Sequence, residues 1–297
     1  MYTKYDYLIE FLNYYKYSKE ASEYLVNSCK IIFEEQNEEF NNIINSYDKD
    51  GNIFELTEKA EVIAEKLKIN KYTMNLLVYI FLSIRLKEYY IEMNYPLEIY
   101  YDSMEDLKYK NDECKDYYNV YGTCVPYWFV AFFALKRFKI GILEFEYRKV
   151  NKEYIDKNIT ITKDKYVIDI HIPKTGQKLE HQKVLFAYKK ADSFFKKYFS
   201  EYSGIYYCSS WLLFNQLDNY LSPDSNIIQF KNDFVIFENN LFKDYQESMR
   251  IFNKIFDGNI DKLPSNTKIQ RAYIDMIKKE IPIGYGVGAF NIKDLIE

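Results

Sequence analysis

The hydrophobic period of this chain changes once, near Gly141, and the change limits the folds open to it. Before that glycine, apolar residues recur every three or four positions. After it, Leu143, Phe145 and Tyr147 alternate with Ile142, Glu144, Glu146 and Arg148. A period near 3.6 lines one stripe of a helix, whereas a period of two divides the faces of a strand. The expected fold class is therefore α+β, with a helical domain over residues 1–121 followed by a mixed α/β domain over 122–297.

Within the first half, Ser18 to Tyr47 carries Ala21, Leu25, Cys29, Ile32, Phe33, Phe40, Ile43 and Ile44 as one amphipathic stripe, which Asp48 to Gly51 breaks. Thr57 reads as the N-cap of a second helix bearing Ala60, Ile63, Ala64 and Leu67, and Asn70 starts a third that runs to about Met93. Pro96 and the capping-box pattern Ser103-Met-Glu-Asp106 restart the chain into a helix ending near Tyr118. A last helix, apolar nearly all round, is expected from Thr123 to Lys139, with Lys136, Arg137 and Lys139 suiting its negative end before Gly141 stops it.

The second half opens with a strand over 142–148. A strand pair follows, Asn158 to Thr162 and Tyr166 to Ile172, turning at Lys163-Asp-Lys165. Val184, Ala187, Tyr188, Ala191, Phe195 and Tyr198 then mark a half-buried crossover helix. Beyond it the pattern predicts a buried strand from Ile205 to Leu213 and a short helix from Leu217 to Leu221. A hairpin of Ile227–Phe230 with Phe234–Phe237 and two helices, about Lys243–Phe256 and Thr267–Glu280, complete the run. The glycine-rich tail Gly284-Tyr-Gly-Val-Gly288 has no βα unit around it, so it is no dinucleotide turn; it either packs over a cleft or strand edge or lends backbone donors there.

Composition removes several function classes. A chain of 297 residues with 48% apolar content can fill a real core, and its 32 Tyr and 22 Phe reflect an AT-biased genome rather than an aromatic ligand. A net charge of −4 gives no pull toward nucleic acid or an anionic membrane. The apolar runs Leu76–Ile84 and Val125–Leu135 fall well short of the ~20 residues a spanning helix needs. Lys4, Asp6 and Glu10 interrupt any N-terminal apolar core, so a cytoplasmic protein is expected. Cys29, Cys114, Cys124 and Cys208 form no C-x-x-C pair and only His171 and His181 accompany them, so reduced thiols and no metal are expected.

Five short strings carry a family resemblance: Gly141-Ile-Leu-Glu-Phe-Glu146, His171-Ile-Pro173, Ser210-Trp-Leu-Leu213, Ser225-Asn-Ile227 and Gly286-Val-Gly-Ala-Phe290. Together with the order of elements they resemble a bacterial acyltransferase family in which a helical N-terminal domain precedes a GNAT-like (GCN5-related N-acetyltransferase) domain. The resemblance implies an acyl-CoA-dependent N-acyltransferase that uses acetyl-CoA or another acyl-CoA and a small-molecule or peptide amine as acceptor. It also implies a fourth core strand ending in a phosphate-binding turn and a fifth strand splaying away from it. Here that turn is Lys174-Thr-Gly-Gln-Lys178, with one glycine where GNAT enzymes usually carry Q/R-x-x-G-x-G/A. Ile170 and Ile172 would give main-chain contacts to pantetheine, and Lys174, Thr175, Gly176, Gln177 and Lys178 would meet the pyrophosphate.

The catalytic candidates are His171, Glu146, Ser210 and Cys208. An imidazole titrating near neutrality can take a proton from an ammonium acceptor, and Asp169 shares its strand face; the alternative is a packed strand-end histidine. A partly buried Glu146 is a second base, or else a solvated edge residue beside Arg148. A Ser or Tyr of the Tyr206–Ser210 strand, Ser209 and Ser210 among them, would protonate the leaving thiolate, while Cys208 is either a transient acyl carrier or a small buried thiol. Two other functions fit the same residues: an acyl-CoA sensor without chemistry, and a helical interaction scaffold. The sequence assigns no oligomeric state.

Overall fold

A computed structural model describes residues 3–156, 159–245 and 248–296. The chain forms two compact units, Met1–Phe138 and Lys139–Glu297.

The first unit contains helices α1 (Lys4–Tyr14), α2 (Lys19–Glu35), α3 (Asn37–Asn45), α4 (Ile53–Leu67), α5 (Lys71–Glu92), α6 (Leu97–Tyr118) and α7 (Pro126–Phe133). Helix α5 is buried on every side from Thr73 through Ser83, which makes it the axis of the unit. No described helix is long and apolar enough to cross a membrane.

Several helix ends differ from the sequence reading. The stripe from Ser18 is broken at Gln36, whose φ of −141° leaves the helical region between α2 and α3. Thr57 caps nothing: it is buried inside α4 and its hydroxyl donates to Phe54 O at 2.7 Å, the helix having begun a turn earlier. Ser103 and Asp106 form no capping box either. Both lie fully buried within α6, and Asp106 Oδ2 accepts a bond from Trp128 Nε1 at 3.0 Å.

The apolar run after Gly122 is also shorter as a helix than its composition suggests. It ends at Phe133, Leu135 adopts a left-handed φ of +53°, and Arg137 already belongs to strand β1 (Arg137–Ile140). The first unit nevertheless reaches Phe138, beyond the expected domain start at Gly122. A Cβ on Gly122 would lie 2.3 Å from the Tyr72 carbonyl carbon, and Thr123 N–H donates to Tyr72 O at 2.9 Å, so this segment is stitched to the start of α5. Phe133 then packs 4.9 Å from the Tyr79 ring, and its carbonyl accepts the Tyr47 hydroxyl at 2.6 Å.

In the second unit the sheet order is β1-β2-β5-β6-β8-β7, where β2 is Leu143–Lys149, β5 Tyr166–His171, β6 Ile205–Ser210, β7 Val235–Leu241 and β8 Gly284–Asn291. Strands β3 (Tyr154–Ile155) and β4 (Thr160–Ile161) form a separate two-stranded ladder. Thr160 and Ile161 therefore pair with Ile155 and Tyr154, not with β5 as expected; β5 pairs instead with β2, antiparallel, from Lys149↔Tyr166 to Glu144↔His171. Asn158 of the expected strand lies outside the described residues.

Helix α8 (His181–Tyr198) connects the parallel strands β5 and β6 as the stripe predicts. Its face of the sheet is aromatic: Tyr206 stacks on Phe290 at 5.3 Å and lies 5.9 Å from Phe145 and from Tyr188.

Other expectations change. Strand β6 stops at Ser210 and passes into a 3-10 turn, Trp211–Leu213. The residues read as the first arm of a hairpin are helix α9 (Asn226–Asn232), because Ser225 accepts the Ile228 N–H as an N-cap. Of the helix expected from Lys243 to Phe256, the described helical part is α10 (Met249–Phe252), and Gln246 and Glu247 lie outside the described residues. Helix α11 (Lys268–Lys278) opens with a Thr267–Gln270 capping box.

The glycine-rich tail is a sheet strand, β8, held between β6 and β7. A Cβ at Gly286 would sit 2.3 Å from Leu213 O, so glycine lets the 3-10 turn close onto the strand.

Candidate active site

The ladder between β5 and β6 is short. The two strands pair only at Ile168↔Tyr206 and Asp169↔Tyr207, although β5 runs on to His171 and β6 to Ser210. Past that line β6 keeps its other neighbour, with Cys208↔Gly288, Ser209↔Val287 and Ser210↔Gly286 in register with β8. Beyond Asp169, the edge of β5 that faces β6 makes no ladder with it. The ladder thus ends near residues 170 and 208, where the family resemblance implies that the fifth strand splays from the fourth.

Alternation sorts the side chains at the gap. Glu144, Glu146 and Arg148 of β2, Asp169 and His171 of β5, and Tyr207 and Ser209 of β6 share the face opposite the α8 aromatics. On that face His171 Nε2 lies 3.0 Å from Glu146 Oε2, with the side chains 21% and 16% exposed. Asp169 Oδ2 is 4.0 Å from the same nitrogen, outside hydrogen-bond range. The carboxylate that orients the imidazole is thus Glu146, one strand away, and not Asp169 two residues earlier. Asp169 is held by Arg148 Nε at 2.6 Å, and the Arg148 guanidinium lies 5.0 Å from the Tyr207 ring centre. The Tyr207 hydroxyl meets that of Tyr154 at 3.0 Å, and burial keeps this phenol protonated far above its ordinary range.

The remaining candidates divide. Ser210 ends β6, and its Oγ accepts the Leu212 N–H at 3.2 Å, which leaves the hydroxyl hydrogen to donate elsewhere. Cys208 is fully buried, and burial, reinforced by the Asp169 charge, pushes its thiol well above the usual value. A thiol kept protonated and away from solvent is a poor nucleophile, which favours the small buried thiol over the transient acyl carrier. Ile170 is buried opposite Phe145, and Ile172 lies just past the end of β5.

The turn after β5 is open. Gly176 has a φ of +73° with space around it, Gln177 N–H bonds Thr175 Oγ1 at 3.1 Å, and Lys174 and Lys178 flank it. Helix α8 begins directly afterwards with no side-chain cap on its first N–H groups, the arrangement that suits a phosphate. His181, its first residue, binds Asp233 Oδ1 through Nε2 at 2.8 Å and so fixes that helix end. Among the described residues no group of three or more His, Cys, Asp and Glu side chains could hold a metal ion. The cavities that hold space in the helical unit, of about 580 and 250 Å³, are lined by tyrosines including Tyr14, Tyr15 and Tyr101, and by none of these site residues.

Two family matches divide the chain as its compact units do. The N-acyltransferase N-terminal domain family matches residues 6–135, and the GNAT-like C-terminal domain family matches residues 137–290, more than half of the chain. The chain belongs to the GNAT-like acyltransferase family. Solved structures agree in fold. A crystal structure of an acyltransferase in complex with decanoyl-CoA and teicoplanin is 17% identical with a TM-score of 0.73, over 95% of this chain and 87% of that one. An acyltransferase mutant in complex with octanoyl-CoA gives the same identity and TM-score over 95% and 86%. In a third, with decanoyl-CoA, the match has 18% identity and a TM-score of 0.63, and covers 74% of this chain and only 66% of the other. No curated protein matches the chain.

For this GNAT-like acyltransferase, the sequence named His171, Glu146 and the Gly176 turn, and the structure places the first two in one contact. It did not single out Arg148, Tyr207 or the Asp233–His181 pair. Arg148 carried a readable signal, since it is the next residue on the Glu146 face of β2; the other two depend on partners far along the chain.

Proposed function

We propose that this acyltransferase moves an acyl group from acyl-CoA to the amine of a small-molecule acceptor by direct attack. The observation that carries the proposal is the β5–β6 ladder ending at Asp169 and Tyr207 beside the 3.0 Å His171–Glu146 contact. Pantetheine would add to the open edge of β5 alongside Ile170 to Ile172, as an extra strand does, with the pyrophosphate at Lys174–Lys178 and the α8 N-terminus.

His171 would take the proton from the acceptor ammonium, with Glu146 orienting the ring and stabilising the imidazolium. The amine nitrogen then bonds to the thioester carbon, and backbone N–H groups at the strand gap stabilise the oxyanion. When the intermediate collapses the C–S bond breaks and CoA thiolate leaves; a hydroxyl at the end of β6 gives the thiolate its proton and takes one back from the former amine nitrogen, so the amide keeps a single hydrogen, CoA leaves as the thiol and the proton held by His171 passes to solvent. Ser209 shares the imidazole's face and Ser210 lies one residue beyond.

Structural neighbours hold octanoyl-CoA, decanoyl-CoA and teicoplanin, which favours testing medium acyl chains beside acetyl-CoA and a multifunctional amine as acceptor. Release of free CoA thiol is measured with acetyl-, octanoyl- and decanoyl-CoA against a panel of amines. Amine-dependent release that collapses in Ser209→Ala or Ser210→Ala identifies the acid. Tight acyl-CoA binding by calorimetry with no release for any amine would replace the enzyme by a sensor.

A further inference from the structure

Two carboxylates compete for one nitrogen in this site. Glu146 Oε2 stands 3.0 Å from His171 Nε2 and Asp169 Oδ2 stands 4.0 Å from it, and the oxygen that Arg148 holds, at 2.6 Å, is that same Asp169 Oδ2. We propose that Arg148 is a positioning residue that holds Asp169 back from His171, and so commits the imidazole to Glu146. Its consequence for turnover rests on the acyl-transfer reading; its effect on the imidazole does not.

The geometry makes the competition real. Asp169 is 8% exposed at its side chain, so water cannot replace the guanidinium as its partner, and a buried carboxylate without a cation takes the nearest proton donor. A small rotation would bring Oδ2 into bonding range of His171. Arg148 has anchors of its own that keep it on Asp169: the Tyr207 ring at 5.0 Å and a bond from Nη1 to Lys149 O at 3.2 Å.

The charge balance points the same way. On the face of His171, β2 presents Glu144, Glu146 and Arg148, its own strand presents Asp169, and β6 presents Tyr207, whose phenol stays protonated. Arg148 is the cation among them, and it neutralises Asp169. Without it the uncompensated Asp169 charge acts on the imidazole and favours imidazolium, which cannot accept a proton. Removing Asp169 instead leaves the Arg148 charge uncompensated and favours the neutral ring. Opposite shifts from the two halves of one ion pair are something a purely structural role would not produce.

The chain has two histidines, so ¹⁵N-histidine labelling gives two titrations, with His181 as the internal reference for folding. In the full chain, Arg148→Gln is expected to raise the His171 midpoint by about one pH unit and Asp169→Asn to lower it, with His181 unmoved. Arg148→Lys, which keeps the charge, is expected to hold the midpoint near that of the wild type. The acid limb of kcat/KM should follow the His171 midpoint in each variant. A His171 midpoint unmoved in both Arg148→Gln and Asp169→Asn overturns the proposal, and if Arg148→Gln fails to fold, an unmoved Asp169→Asn does so alone. Shifted midpoints with no transfer to any amine would uphold this role and remove the acyl-transfer reading. Active enzyme with unmoved midpoints would do the reverse.

Discussion

In the helical unit, several polar side chains in the interior are each tied to a single partner: Tyr47 donates to Phe133 O, Tyr79 to Pro126 O, Tyr100 to Ser83 O, and Trp128 to Asp106. In the sheet unit, two ionisable pairs, Arg148–Asp169 and Glu146–His171, lie side by side where the β5–β6 ladder ends. A hydroxyl bonded to a main-chain carbonyl is neutral at every working pH and fixes only packing. Ionisable pairs at the end of a strand ladder can exchange protons, which is what the proposed reaction asks of them. The two units therefore bury polar groups in different ways, and only the second way fits the proposed chemistry.

The largest expected effect tests that contrast directly. His171→Ala and Glu146→Gln should each lower kcat/KM by about 10²–10⁴-fold, the usual contribution of a positioned acid or base, with secondary structure by circular dichroism unchanged. Unaltered turnover in both would take the Glu146–His171 pair out of the chemistry.

Gly286→Val comes next, because the added carbons must enter the 2.3 Å space below Leu213 O. Overpacking of this kind costs about 1–3 kcal/mol, read as a lower urea midpoint, and acyl transfer should fall with it as the 3-10 turn lifts from β8. An unshifted midpoint would mean that the turn is not seated as described.

Tyr79→Phe removes a bond of 2.7 Å to Pro126 O and should cost about 1 kcal/mol of stability while kcat/KM stays at the wild-type value. A loss of turnover here would break the comparison from the other side.

The smallest effect concerns the thiols. Cys208→Ala should leave turnover unchanged, and brief alkylation followed by peptide mass mapping should find Cys124 modified before the other three. Cys124 alone is partly exposed, and a hydrogen bond from Cys114 draws its thiol below the ordinary value. Early labelling at Cys208 would restore it as a nucleophile.

Local pattern alone determined a good deal. The change of period at Gly141, the stripe of α8, the caps at Asn70 and Thr267 and the strand face shared by Glu146 and Arg148 follow from neighbours within a few residues, and helix and strand periodicity report just that. The α+β class was legible for the same reason, while the acyltransferase family was legible through the resemblance that five short strings carry.

Tertiary structure decided the rest. Thr57, Ser103 and Asp106 look like caps in sequence but sit mid-helix: Thr57 bonds back to Phe54 O within α4, Ser103 is fully buried in α6, and Asp106 takes its bond from Trp128, which lies beyond the end of α6 in sequence. Gly284 to Gly288 reads as a loop in sequence, yet its glycines are what a strand needs when Leu213, Val235 and Asn240 press their backbones against it. His171 is paired with Glu146 because β2 lies antiparallel to β5 in one register, and a shift of one residue would have put the carboxylate on the opposite face. Strand pairing joins residues that no sequence window contains, so the contact on which the proposed chemistry depends exists only once the sheet has formed.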